Sequence, residues 1–202
     1  MSPLVIAHRG ASWDLPENTL PAFERAIELG ADFVEFDVHA RDDGTLVVTH
    51  DPPRSRTSLP TLADVLELTN GRIGVMVELK TPFRYRRHAI VRRTLELVAS
   101  DAVVISFEPG AIAQVRALRP DLRTVQHVAW VPQRVAAARG CWAAGFEDRR
   151  ATPRALARAR ALGLATTVYT VNDRERMRAL AALGVTGIFT DRPDVAQDVL
   201  GA

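Results

Sequence analysis

Along the chain, short aliphatic and β-branched runs alternate with stretches whose apolar residues recur every three or four positions. The runs Leu4 to Ala7, Phe33 to Val38, Ile73 to Leu79, Val103 to Ser106, Leu122 to Gln126, Ala144 to Phe146, Ala165 to Thr170 and Gly187 to Thr190 predict eight strands. Between them the punctuation is helical. Asn18 or Thr19 can cap a helix with Pro21 in its first turn, Leu20, Phe23 and Ile27 form its apolar stripe, and Gly30 ends it. The same grammar recurs from Thr152-Pro153 to Gly163 and from Asn172 to Gly184, where Glu175 resembles the far end of a capping box. Helices interposed in this way require parallel strands. Eight repeats predict an α/β fold of the (β/α)8 TIM-barrel type in a single domain, residues 1–202. The alternative, an open doubly wound sheet, lacks its glycine-rich turn, because the first strand runs into His8-Arg9-Gly10-Ala11.

Composition narrows the setting. At 47% hydrophobic and 25% charged, the 202 residues have the balance of a soluble globular domain. No apolar run has the roughly 18 residues needed to span a bilayer, and the first residues carry no leader pattern. Cys141 is the single cysteine, which excludes an intrachain disulfide and a zinc-finger spacing and fits a reducing, cytoplasmic compartment. The net charge of +2 gives no reason to expect a nucleic-acid partner. Among 26 basic residues Lys80 is the one lysine, which draws attention to its place at a strand end.

In such a barrel the C-terminal ends of the strands converge on the face that holds the chemistry. Those ends carry His8 and Arg9, then Glu35 and Asp37, Glu78 and Lys80, Ser106, and Asp191. Glu35 and Asp37 stand at i and i+2, on one side of a strand and about 6 to 7 Å apart along it, with Phe36 facing the helices. Glu78 and Lys80 repeat the pattern one strand over. Three inward carboxylates repel one another unless neutralised, and all-oxygen ligation suits Mg²⁺ or Ca²⁺, with Mn²⁺ a further candidate. Glu35, Asp37 and Glu78 are therefore expected to bind a hard divalent metal; the competing reading is an ion-pair network closed by Lys80 and Arg9.

Asp43-Gly44 is a hairpin signal between Val38 to Arg41 and Leu46 to Thr49. A two-residue loop there pairs residue 42 with 45 and places His50 opposite Asp37. Two histidines, His8 and His50, then flank the carboxylates. That combination suits phosphodiester cleavage, in which one group takes a proton from the attacking oxygen and the other supplies one to the leaving alkoxide. His39, His88 and His127 lack carboxylate neighbours in sequence and read as ordinary core or surface residues.

At these positions the sequence resembles the glycerophosphodiester phosphodiesterase family. The shared elements are His8-Arg9-Gly10-Ala11, Pro16-Glu17-Asn18-Thr19, Glu35-Phe36-Asp37-Val38, Asp43-Gly44, Val48-Thr49-His50-Asp51, Glu78-Leu79-Lys80, Ser106-Phe107 and Gly187 to Pro193. The resemblance implies a TIM barrel, metal ligation by Glu35, Asp37 and Glu78, acid-base catalysis by His8 and His50, and phosphate contact by Arg9 and Lys80. Glu17 reads as a brace for its loop or as a direct participant. The implied substrate is a small glycerophosphodiester, or a lysophospholipid; attack by a substrate hydroxyl would instead form a cyclic phosphate, and a catalytically silent phosphodiester-binding barrel is the non-enzymatic alternative.

Two departures from the family pattern bear on substrate choice. Pro52 to Thr61 stands where relatives carry a helical insertion of several dozen residues, so the mouth is expected to be open. Tyr169 stands where tryptophan is frequent. Arg84, Arg86, Arg87, Arg92 and Arg93 form a basic cluster, read as a solvated face unless its first members overhang the mouth.

Overall fold

A computed structural model of the chain describes residues 2–53, 58–128 and 132–201. Its strands are β1 (Leu4–His8), β2 (Phe33–Ala40), β3 (Leu46–Val48), β4 (Gly74–Leu79), β5 (Val103–Ser106), β6 (Arg123–His127), β7 (Ala143–Glu147), β8 (Ala165–Tyr169) and β9 (Gly187–Thr190). Eight of them form a parallel ring in the order β1-β9-β8-β7-β6-β5-β4-β2, closed because β1 pairs with both β9 and β2. This is the predicted barrel, with strand ends within two residues of those read from the pattern. The helices are α1 (Leu20–Glu28), α2 (Leu62–Thr69), α3 (Ile90–Leu97), α4 (Pro109–Leu118), α5 (Pro153–Ala161), α6 (Arg174–Ala182) and α7 (Pro193–Leu200). Between β6 and β7 a 3-10 segment, Pro132–Ala138, takes the place of a helix.

Alternation along the strands sorts side chains into two apolar layers. Ile6, Met76, Val103, Ile105, Val125, Ala143 and Phe189 fill the barrel interior. Phe36 points the other way and packs edge-on against Phe23 of α1, with ring centroids 5.7 Å apart. Both are fully buried, so truncating either to alanine would cost about 3 to 5 kcal/mol.

Of the two residues able to cap α1, Thr19 does so, its side chain accepting from the Ala22 amide. Asp173, not Asn172, caps α6, accepting from the Arg176 amide. Asn18 and Asn172 turn toward the strand ends instead.

The hairpin register also differs. Val38 pairs with Val48 and His39 with Val47, so Asp37 faces Thr49 rather than His50. The loop has three residues, 42–44: the Gly44 amide donates to the Arg41 carbonyl at 2.9 Å and the Arg41 amide to the Thr45 carbonyl at 2.9 Å. Gly44 sits at φ 87°, a left-handed conformation that absorbs the extra residue and shifts the pairing by one. The expected open wall at Pro52 to Thr61 cannot be traced through, since residues 54–57 lie outside the described ones.

Candidate active site

Strand pairing gathers the carboxylates. His8 of β1 is registered against Glu35 of β2, and Asp37 of β2 against Glu78 of β4. Glu35, Asp37 and Glu78 are all buried, and each presents an oxygen within 4.8 Å of the others. Among the described residues they are the cluster able to hold a metal ion. Two cations press on it. Lys80 Nζ lies 2.8 Å from Glu78 Oε1 and 3.0 Å from Asp37 Oδ1, and Arg9 Nε lies 3.1 Å from Asp37 Oδ2. The Asn18 side-chain amide donates to Asp37 Oδ2 at 3.0 Å, and the Arg9 backbone amide donates to Glu35 at 3.2 Å.

Electrostatics divides the three acids. Burial, reinforced by the neighbouring charges of Asp37 and Glu78, holds the Glu35 pKa well above the usual carboxylate range. Burial also drives Glu78 up to about 7, with Lys80 working against the rise. Asp37 goes down: burial opposes its charge, but Lys80, Arg9 and the Asn18 hydrogen bond together outweigh it. Three acids share two cations, and repulsion is relieved only by a proton or a further positive charge. Asp37 Oδ1 and Glu78 Oε1 are buried and share a single partner, the Lys80 ammonium. Three converging hard carboxylate oxygens, incompletely neutralised, fit a divalent cation. The competing ion-pair network is real in its contacts, but it leaves this imbalance.

His8 is locked in place. Its Nδ1 lies 2.7 Å from Asp191 Oδ1, and Asp191 also accepts from Ser12 Oγ at 3.0 Å and from the Asn172 amide at 2.7 Å. Burial opposes ionisation of Asp191, but the His8 and Asn172 hydrogen bonds hold its pKa below the ordinary value. An ionised carboxylate only accepts, so Nδ1 of His8 carries a proton and Nε2 is left as the free base or the second acid site. The Arg9 turn behind it is tight: Gly10 has φ 86°, and a Cβ there would meet the Ala22 backbone carbon at 2.7 Å.

His50 stands beyond β3 and more in the open. Its side chain is 43% exposed, and its Nδ1 partner at 3.0 Å, Asp51, is 89% exposed. Strand pairing does not set it opposite Asp37, contrary to the expectation from a two-residue loop. What brings the chain back is the Thr49 amide donating to the Asp37 carbonyl at 2.9 Å, together with His39 Nε2, which lies 3.0 Å from the His50 carbonyl.

Glu17 braces, accepting from Arg9 Nη1 at 2.7 Å. Arg87 pairs with exposed Asp42, and Arg93 bonds the Gly44 carbonyl, so the basic cluster is partly committed to holding the hairpin. On the opposite rim Phe107, His127, Tyr169 and Phe189 pack ring against ring, with His127 and Tyr169 centroids 4.3 Å apart. Burial, then the Lys80 charge, pushes His127 down to about 3. The sequence reading missed the services of Asn18, Asn172, His39 and Asp191. Only Asp191 had a signal, its place at the end of the last strand.

Similarity to known proteins agrees with this geometry. The sequence profile of the glycerophosphoryl diester phosphodiesterase family matches residues 8–59 and 52–195. A glycerophosphodiester phosphodiesterase of Bacillus altitudinis is 29% identical over 236 aligned residues, covering 95% of this chain and 96% of that one. The aligned span exceeds this chain's 202 residues, so that relative has positions without a counterpart here. Among solved structures, a glycerophosphodiester phosphodiesterase from Parabacteroides distasonis superposes with a TM-score of 0.85 at 27% identity, covering 99% of this chain and 97% of that one. An Oleispira antarctica phosphodiesterase, solved with the product sn-glycerol-3-phosphate, gives 0.87 at 24% identity, covering 100% and 98%. The chain belongs to the glycerophosphoryl diester phosphodiesterase family and is a phosphoric diester hydrolase.

Proposed function

We propose that this enzyme hydrolyses small glycerophosphodiesters to glycerol 3-phosphate and an alcohol, in a single catalytic barrel spanning residues 1–202. The observation that carries the reading is the buried Glu35, Asp37 and Glu78 cluster, registered against His8 on the neighbouring strand and within one residue of the His50 segment. The sn-glycerol-3-phosphate bound by the Oleispira antarctica relative supports the product class.

Glu35, Asp37 and Glu78 would hold a divalent cation, Mg²⁺, Ca²⁺ or Mn²⁺. When bound, it supplies charge neutralisation for the phosphate oxygens. Arg9 and Lys80, already turned toward the cluster, bind the phosphate and keep it close to His8. With Nδ1 protonated toward Asp191, His8 offers Nε2 as the base that takes a proton from attacking water. His50, as an imidazolium with Nδ1 toward Asp51, supplies a proton to the leaving alkoxide.

The test is phosphorus NMR of glycerophosphocholine, glycerophosphoethanolamine, glycerophosphoglycerol and lysophosphatidylcholine, each with Mg²⁺, Mn²⁺ or Ca²⁺. The expected result is metal-dependent release of glycerol 3-phosphate from the deacylated diesters. Turnover unchanged by EDTA, or a cyclic phosphate as the end product, would overturn the corresponding part of the reading. Replacing His8 or His50 by alanine should lower kcat by about 10² to 10⁴. On bis(4-nitrophenyl) phosphate, whose leaving group needs little protonation, the His50→Ala loss should shrink while the His8→Ala loss persists. Equal losses for both variants on both esters would refute the separate roles.

A further inference from the structure

We infer that Tyr85 and His39 form a positioning relay for His50, an inference that rests on His50 being the general acid. His39 is 2% exposed, and both its ring nitrogens are engaged. Nε2 lies 3.0 Å from the His50 carbonyl and Nδ1 lies 2.7 Å from Tyr85 Oη.

The chemistry of the partners fixes the direction of both bonds. A carbonyl oxygen only accepts, so His39 Nε2 carries a hydrogen. In the neutral imidazole the other nitrogen, Nδ1, is then the acceptor, and Tyr85 Oη, 2.7 Å away, donates to it. The order is thus Tyr85 O–H to His39 Nδ1, then His39 Nε2–H to the His50 carbonyl. Tyr85 meets the ring edge-on, with centroids 5.4 Å apart and planes at 84°, so packing holds the same orientation that the hydrogen bonds need. Removing the tyrosine hydroxyl would leave Nδ1 buried without a donor. Moving the hydrogen to Nδ1 would recover nothing, since the acceptor there has gone too, and would set the Nε2 lone pair against the His50 carbonyl.

The relay matters because, among the described residues, His50 is otherwise lightly held. It lies outside β3, its side chain leans on the exposed Asp51, and its part-buried carbonyl is the handle by which the segment can be aimed. Tyr85 belongs to the 3-10 segment Pro82–His88 that follows β4, the strand carrying Glu78. The relay therefore ties the acid's backbone to the connection leaving the carboxylate strand. Neither Tyr85 nor His39 touches the cluster by the contacts described. Both act through His50.

Kinetics on two esters tests this. His39→Leu should lower kcat on glycerophosphocholine by about 10- to 100-fold with KM changed less than about threefold, the scale expected from misplacing a catalytic group. On bis(4-nitrophenyl) phosphate the loss should be under about threefold. Tyr85→Phe, which removes one oxygen and keeps the packing, should show the same ester dependence at about 3- to 10-fold. His39→Gln can still donate to the His50 carbonyl and should recover activity to within about threefold of wild type. In a His50→Ala background, His39→Leu should cost nothing further. Equal losses on both esters for Tyr85→Phe and His39→Leu, or additive losses on top of His50→Ala, would overturn the relay while leaving the acid in place. A His50→Ala variant that loses equally on both esters would instead overturn the acid assignment beneath it.

Discussion

Two histidines at the mouth of this barrel, His8 and His127, show how surroundings decide what a residue can do. His8 stands on the β1 and β2 side, 2.7 Å from an ionised Asp191 and one strand from Glu35. His127 stands on the β6 and β8 side among Phe107, Tyr169 and Phe189, with its pKa pushed down to about 3 and its Nδ1 buried without a hydrogen bond. The first keeps Nε2 open beside a carboxylate-anchored Nδ1; the second is a ring that burial holds neutral down to about pH 3. Charge is concentrated on one flank of the mouth and aromatic surface on the other.

The contrast breaks most severely at the carboxylates. Glu78→Ala or Glu35→Ala should abolish metal-dependent turnover, a loss of at least about 10³-fold, while the fold persists in EDTA because one source of repulsion is gone. Loss of several kcal/mol of stability in EDTA for both variants would mean that the cluster is a structural ion-pair network.

Next in size is the Asp191 link. Asp191→Asn keeps shape but removes the charge that fixes the His8 tautomer, and kcat should fall about 10²-fold on both activated and unactivated esters. An unchanged kcat would show that His8 needs no partner to be aimed, and the difference between the two histidines would lose its explanation.

Metal-free stability sharpens the comparison from the charged side. The Glu78 pKa moves from 4.5 unfolded to about 7 folded, so the folded chain keeps a proton that the unfolded chain has released. Stability from this group is full below pH 4.5 and falls as pH rises to about 7, by about 3 kcal/mol if the whole shift is realised. Denaturant unfolding in EDTA at pH 5 and 7.5 should show the decline, and Glu78→Gln should flatten it. Parallel slopes for the two proteins would reject the shifted carboxyl.

The smallest effect belongs to the aromatic side. His127→Leu should leave kcat within about threefold and stability unchanged or slightly raised, because it removes a buried nitrogen that has no hydrogen-bond partner. A loss above about 30-fold would place His127 among the groups that touch substrate.

What could be read from sequence follows the same division. The barrel was legible because period-two and period-3.6 patterns are local, and the inward carboxylates because i and i+2 on a strand must share a face. The His50 register was not, because Asp43-Gly44 serves a two-residue loop and a three-residue loop equally well, and the difference lies in Asp43, which does not take the positive φ that a two-residue turn requires. Asn18 was one of two possible caps and Asn172 was read as a cap, since a neighbouring threonine or aspartate satisfies the same local rule. Their partners, Asp37 and Asp191, stand 19 residues away in each case. His39 offered no periodic signal of its link to Tyr85, 46 residues on.

The bond between His8 and Asp191 joins residues 183 apart, across the β1–β9 seam that closes the ring. The acids on β2 and β4 come together through far shorter chain separations, and pairings of low separation cost less loop-closure entropy, which favours their forming first. During folding, a partial sheet of β1, β2 and β4 would already gather the proposed cation site, while His8, the proposed base, still lacked the carboxylate that aims it. Capture of a cation and competence for turnover are therefore separate milestones, and the second arrives only when the last strand docks against the first.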